Sequence, residues 1–375
     1  MQPPAPRVLL AACLVASAAV AVSGRSQVAT RTGGSLDARL AALCETAKLP
    51  AVAGAMFTSA QVVQQSAVGV RRLGSDAAVT PRDRWHIGSI TKSFTATLVA
   101  RFVERGDLKW TQTLGELLGA ERARAYASVT IEHLLSHRSG LPANLTAAMT
   151  LTLRESTAPV TAQRQQAVDA LLASTPASAP GERYLYSNAG YILMGAVLEA
   201  RAGRAWEDIL QAEILSPIGL SSAGFGPPGA AGTLTEPRGH RRRADSSLLP
   251  VEPGVLFADN PPLLGPAGRL HMTIADLARW GQEHLRGERG ADGLVKAATF
   301  QYLHRAPGGG DYALGWALRS IGGQRAIWHN GSNTLWYAAV AFDPVADRGA
   351  AVVTNGSIGA QAAIEGALAQ LIGGS

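Results

Sequence analysis

Lysine is scarce in this chain of 375 residues. It occurs four times, at Lys48, Lys92, Lys109 and Lys296, against 30 arginines. A general arginine bias accounts for the ratio as a whole, yet it singles out each lysine, because a buried lysine can give up its proton and an arginine cannot. Cysteine occurs only at Cys13 and Cys44, which excludes a disulfide scaffold and zinc knuckles. Charged residues make up 17% and the formal net charge is +6, while 47% of residues are hydrophobic, so the chain is not of the disordered class. At this length roughly three quarters of the unfolded surface can be buried, enough for a large core. The densest basic run, Arg238 to Arg243 (RGHRRR), has no interleaved aromatics. It reads as a solvated loop, and no nucleic-acid partner is expected. Two motifs are missing: G-x-S-x-G and G-x-x-x-x-G-K-[ST]. Their absence argues against an α/β-hydrolase elbow and a P-loop.

The first 23 residues have the layout of a signal peptide. Arg7 precedes an apolar run from Val8 to Val22, and Ala19-Val20-Ala21 or Ala21-Val22-Ser23 offers a cleavage triplet. The run is short for a membrane span. Leu10-Ala11-Ala12-Cys13 looks like a lipobox, although the apolar run continues nine residues past the cysteine. A periplasmic or secreted protein is therefore expected, touching a membrane only through an uncleaved or lipidated leader. Residues 24–35 read as a linker.

Beyond the linker, Leu36–Ala47 has helical spacing, and Ala51–Thr58 with Gln61–Val70 forms a hairpin candidate. Ser89–Arg105 is a strong helix, with Ile90, Phe94, Leu98 and Phe102 every fourth residue and Gly106 as a stop. Residues 107–254 read as helices and loops. Strand-like runs return at Tyr312–Arg319, Arg325–His329, Leu335–Phe342 and Ala350–Thr354, before a last helix over Ile358–Ile372. Strands at both ends without regular βα alternation predict an α+β fold: an antiparallel sheet flanked by N- and C-terminal helices. The expected α/β domain comprises 36–106 and 255–375, with an all-helical domain inserted over 107–254.

Three short segments carry chemistry. In Gly88-Ser89-Ile90-Thr91-Lys92, three residues of helix make one turn, so the Lys92 amine can sit beside the Ser89 hydroxyl. A serine is a poor nucleophile until a neighbouring base takes its proton, and burial makes lysine such a base. The helix start also supplies N–H groups for an oxyanion. In Tyr186-Ser187-Asn188 the tyrosine can shuttle protons and the amide can hold a substrate carbonyl, although Asn188 as a helix cap is the plainer reading. Trp328-His329-Asn330-Gly331-Ser332 ends a strand, and alone reads as an Asn-Gly turn. His133 and His137, four apart, read as helix packing or capping rather than a metal pair.

Taken together, S-x-x-K, then Y-x-N about a hundred residues on, then H-x-G near the C-terminus resembles the serine β-lactamase and penicillin-binding-protein superfamily. The tyrosine form of the second motif is similar to the branch of class C β-lactamases, D,D-carboxypeptidases and esterases. Thr80–Lys92, Ile131–Pro142, Pro180–Gly195, Gly265–Trp280 and Tyr312–Trp316 also look like family segments. The resemblance implies a β-lactamase/D,D-peptidase-like fold and an acyl-enzyme on Ser89. Lys92 and Tyr186 would move protons, and Asn188, His329, Gly331 and Ser332 would line the substrate. The N–H groups of Ser89 and Ser332 would hold the oxyanion. No cofactor is implied, and the partner is a small-molecule or peptide substrate. His329 stands where efficient β-lactamases of class C carry lysine, and would bond a substrate carboxylate or Tyr186. Hydrolysis of carboxyl esters or D-amino-acid peptides is therefore expected ahead of a class C-like β-lactamase or a non-catalytic ligand sensor.

Overall fold

The computed structural model describes residues 34–373, Gly322 excepted. The leader expected over 1–23, and all but the end of the linker, lie outside the described residues. The central feature is a six-stranded antiparallel sheet built from both ends of the chain. Its strands are β1 (Ala51–Phe57), β2 (Val62–Gly69), β3 (Ala317–Ile321), β4 (Gln324–Gly331), β5 (Tyr337–Asp343) and β6 (Arg348–Thr354), in the order β2-β1-β6-β5-β4-β3. The N-terminal hairpin thus joins the C-terminal strands through β1 and β6, with Val52 opposite Thr354 and Phe57 opposite Gly349.

Both faces of this sheet are covered, so its central strands are continuously apolar rather than alternating. On one face, Val52, Ala339, Ala341 and Val352 pack under the helices α1 (Leu36–Ala47) and α6 (Gln361–Gly373). On the other, Ala53, Phe57, Val340, Phe342 and Val353 pack toward α5 (Ile274–Glu288) and the main core. Small residues set how close these layers come. A Cβ on Gly281 of α5 or Gly349 of β6 would stand 2.4 or 2.2 Å from the Phe57 ring, which occupies the space both glycines leave.

Next comes α2 (Thr91–Glu104), preceded by a short 3-10 turn at Gly88–Ile90. It is a core helix, as its composition predicts, and every residue from Thr91 to Ala100 is buried. Phe94 stacks on Trp280 of α5 at 3.8 Å, and the Trp280 Nε1–H donates to Ser93 Oγ at 2.8 Å.

The stretch 107–254 is helical as far as Leu215. It includes α3 (Val160–Leu172) and α4 (Asn188–Ala202), joined by the fully buried Arg164, which bonds Glu199 and Glu207. Beyond Leu215 the stretch departs from the all-helical expectation. Gly224–Phe225 pairs with Leu270–Thr273, which also pairs with Arg84–His86, the strand leading into Ser89. The basic run is not a solvated loop but one strand of a hairpin, Gly239–Arg242 with Leu248–Val251. Burial changes along the strand: Arg238, Gly239 and His240 are buried, and Arg241, Arg242 and Arg243 are exposed. Arg238 is held by Glu252 and by the carbonyls of Ala230, Thr233 and Glu236.

Candidate active site

Ser89 lies in the tight turn that opens α2, one turn before Lys92. The Lys92 side chain is fully buried, and its Nζ reaches three oxygens: Ser89 Oγ at 3.0 Å, Asn188 Oδ1 at 2.7 Å and the Ala267 carbonyl at 2.7 Å. Burial pushes the amine well below the usual lysine range. The partners divide by chemistry. The Ala267 carbonyl can only accept, and so can Asn188 Oδ1. A neutral amine has two N–H donors and one lone pair, so two donors go to these acceptors. The lone pair is left facing the Ser89 hydroxyl.

The orientation of Asn188 is itself fixed. Its Nδ2 donates to Asn144 Oδ1 at 2.8 Å, which turns Oδ1 toward Lys92. Asn188 is not the cap of α4. Ser187 is, accepting from the Gly190 N–H at 3.2 Å, and this leaves the Asn188 amide to the site. Tyr186 stands on the same wall, its ring 4.9 Å from Lys92 Nζ. Burial raises its phenol pKa, and a hydrogen bond with Ser89 offsets this only in part.

The third wall is the end of β4. Asn330 and Gly331 belong to the strand and not to a turn, since His329, Asn330 and Gly331 pair with Val340, Ala339 and Ala338 of β5. On the other side, pairing with β3 stops at Trp328 opposite Ala317, so the edge at 329–331 is open beside Ser89. Gly88 and Gly331 let the two backbones touch. A Cβ on Gly331 would lie 2.1 Å from the Ile87 carbonyl oxygen and 2.4 Å from Ser89 N, and one on Gly88 would lie 2.2 Å from Ser332 N. Gly88 also has φ +51, which a side chain adopts only with strain. The N–H groups of Ser89 and Ser332 are thereby brought together. Ser332 N–H has no acceptor among the described residues.

His329 is buried, but its partners are not those expected. Its Nδ1 lies 2.5 Å from the Asn330 carbonyl, an acceptor only, so Nδ1 carries the ring proton. Its Nε2 then accepts from the Tyr312 hydroxyl at 2.8 Å, not from Tyr186. Burial above all lowers its pKa to about 3, so the ring is neutral and both nitrogens are occupied. Tyr312 falls in the Tyr312–Trp316 segment, which gave the only sequence signal for it.

His133 and His137 separate. His133 Nδ1 accepts the Thr130 N–H in a capping box, while the helix stops at Leu135 and His137 turns into the site with φ 59. The His137 ring lies 4.3 Å from Tyr186 and 4.5 Å from Tyr312, and its Nδ1 accepts the Ser187 N–H. Asn144 and Ala267 were not legible beforehand. The first is a lone loop residue, and the second acts through its backbone.

The site can therefore offer a hydroxyl, a neutral amine at its side and a pair of converging N–H groups, which is the equipment for acyl transfer. Comparison with known proteins agrees with this. The chain is 27% identical over 328 residues to a penicillin-binding protein 4 from Amycolatopsis lactamdurans, covering 83% of this chain and 82% of that one. It is 27% identical over 242 residues to an unguisins hydrolase from Aspergillus violaceofuscus, covering 62% of this chain but only 41% of that protein. Among solved structures, the octameric penicillin-binding protein homologue from Pyrococcus abyssi superposes with a TM-score of 0.73 at 24% identity, over 89% of this chain and 76% of that one. The D-alanine carboxypeptidase AmpC from Burkholderia cenocepacia superposes with a TM-score of 0.67 at 19% identity, over 90% and 97%. The family described as Beta-lactamase matches residues 15–374, and the chain belongs to that family.

Proposed function

We propose that this protein is a serine hydrolase that forms an acyl-enzyme on Ser89, acting on carboxyl esters or on amide bonds of D-amino-acid peptides. One observation carries the reading: Lys92 Nζ sits 3.0 Å from Ser89 Oγ with its other two contacts on acceptors only. The buried neutral amine takes the Ser89 proton as Oγ attacks the substrate carbonyl. The tetrahedral oxyanion is held by the N–H groups of Ser89 and Ser332. Tyr186, beside both Ser89 and Lys92, relays that proton to the departing alcohol or amine. The same groups then activate water, which cleaves the ester on Ser89 and releases the acid.

Substrate choice follows from the third wall. A neutral His329 with both nitrogens occupied presents no cation to a carboxylate at this position. The anionic β-lactam nucleus therefore gains no ion pair from His329. The open strand edge at 329–331 suits an extended, amide-bearing chain. A relative named D-aminopeptidase, 24% identical over 305 residues, and the neighbour named D-alanine carboxypeptidase support the amide branch. The leader supports a periplasmic or secreted location. The test compares kcat/KM on a p-nitrophenyl ester, a D-Ala-D-Ala peptide and nitrocefin. The ester or the peptide is expected to lead, and nitrocefin leading by a wide margin would overturn the substrate assignment.

A further inference from the structure

The two N–H groups proposed to hold the oxyanion come from distant parts of the chain, and neither segment is fixed by its own element. Residues 87–89 form a turn between a three-residue strand and α2, and residues 332–336 form the turn after β4. A buried carboxylate outside both segments reaches each of them. Asp259 Oδ1 accepts from Asn333 Nδ2 at 2.9 Å and lies 2.9 Å from His86 Nε2. Its Oδ2 accepts from Arg269 Nε at 3.0 Å.

Both arms continue to the site. His86 Nδ1 accepts the Gly88 N–H at 3.1 Å, so that nitrogen has no proton and the ring N–H is on Nε2, toward Asp259. Asn333 directly follows Ser332, and its Oδ1 accepts the Leu335 N–H at 3.2 Å, which fixes the turn. The neighbouring Asn260 donates from Nδ2 to the Gly268 carbonyl at 3.0 Å, next to the Ala267 carbonyl that holds Lys92.

We propose that Asp259 is a positioning residue that clamps the Gly88 turn to the Ser332 turn and so sets the separation of the two oxyanion donors. The proposal rests on the reading of Ser89 and Ser332 given above. Asp259 touches neither Ser89 nor Lys92, and it acts only through His86 and Asn333. Burial alone would raise its pKa, but His86, Arg269 and Asn333 more than offset that and hold it at about 2, so it stays charged across the working range. A buried charge with two hydrogen-bond donors, Arg269 and Asn333, and the His86 ring 2.9 Å away is costly to dismantle by halves. One acceptor shared by segments so far apart in sequence fixes their spacing in a way separate hydrogen bonds would not.

The test is Asp259→Asn, which keeps the volume but turns an amide N–H toward at least one of the present donors. A donor misplaced by a fraction of an ångström costs about 10- to 100-fold. We therefore expect kcat on a p-nitrophenyl ester to fall by that factor with KM within about threefold of wild type. Affinity for a phenylboronic acid, which forms a tetrahedral adduct on Ser89, should fall by the same factor as kcat/KM. Affinity for the product acid, which forms no oxyanion, should not. A loss of stability alone would scale all three signals with the folded fraction. If Asp259→Asn does not fold, Asn333→Ala cuts one arm of the clamp and should show the same split with a loss of about 10-fold. A folded variant with kcat and boronate affinity within about twofold of wild type would overturn the clamp. Absence of turnover and of boronate binding in the wild type would instead remove the Ser89 reading, and the clamp with it.

Discussion

Gly331→Ala is the smallest perturbation that separates the geometry of this site from its chemistry. Gly331 does not have a positive φ, so alanine brings no backbone strain, only one methyl group. That methyl would sit 2.1 Å from the Ile87 carbonyl oxygen, 2.4 Å from Ser89 N and 2.8 Å from the Gly88 carbonyl carbon. All three are backbone atoms, so no flexible side chain can swing aside. Ordinary contact needs about 3.5 Å, and the two segments must part by roughly 1 Å. The Ser332 N–H moves with its strand and the Ser89 N–H with its helix, so the oxyanion pair opens by about that amount. A misplacement of this size costs on the order of 100-fold, and loss of one oxyanion donor costs about 100- to 1,000-fold. We expect kcat on a p-nitrophenyl ester to drop about 100-fold with KM little changed, because the ground state does not use the oxyanion contacts. Ser89 and Lys92 keep their spacing to each other, since one helical turn carries both. Circular dichroism establishes that the variant is folded. A folded Gly331→Ala enzyme with kcat within about threefold of wild type would refute the reasoning.

Lys92→Arg puts a permanent cation where the neutral amine stands and so removes the group able to take the Ser89 proton, and acylation should slow by about 1,000-fold or more in stopped-flow measurements; wild-type-like acylation would exclude Lys92 as the base. Acid should destabilise the fold in a defined window. His240 and His271 are buried with pKa values lowered to about 4, and His329 to about 3, by burial first of all. Their unfolded counterparts titrate near 6.5, so below that pH the unfolded chain binds protons first. Stability contributed above pH 6.5 is then lost as pH falls, by up to about 3 kcal/mol for each of the first two, given roughly 1.4 kcal/mol per pH unit. Melting temperature should decline steadily from pH 7 to 4, and a flat profile would contradict the burial of these rings. Gly366→Ala in α6 meets nothing within 4 Å, so it should stabilise by about 1 kcal/mol and raise Tm by a few degrees. A lowered Tm would show that this face of α6 is not free.

Legibility in the sequence followed the range of the interaction. The Ile90–Phe102 repeat gave α2 because helix periodicity is local, and the apolar runs near the C-terminus gave the strands that now surround β5. Ser89 and Lys92 were legible because one helical turn fixes their separation. The long amphipathic helix α5 was not among the expected helices, although Gly265–Trp280 was singled out. The short strands that frame Ser89 have only two to four residues each and leave no alternation to detect. Within the site, contacts made over long sequence distance were misjudged. The plainer reading of Asn188 as the helix cap fails, since the cap is Ser187 and the Asn188 side chain is drawn to Lys92 96 residues away. His329 was expected to bond a substrate carboxylate or Tyr186, and the bridge between Tyr312 and Ala317 instead brings the Tyr312 hydroxyl to the ring. The Ala267 carbonyl leaves no trace in sequence, since every residue has one. Asp259 lies 74 residues from Asn333 in a segment with no periodicity, and only the folded chain brings the two together.

The most direct test of the account is covalent labelling of Ser89. Wild-type protein treated with a fluorophosphonate should gain a single adduct by intact mass, mapped to Ser89 by peptide fragmentation. Ser89→Ala should gain none at the same concentration and time. Equal labelling of both proteins, or an adduct mapped to another residue, would contradict the central claim.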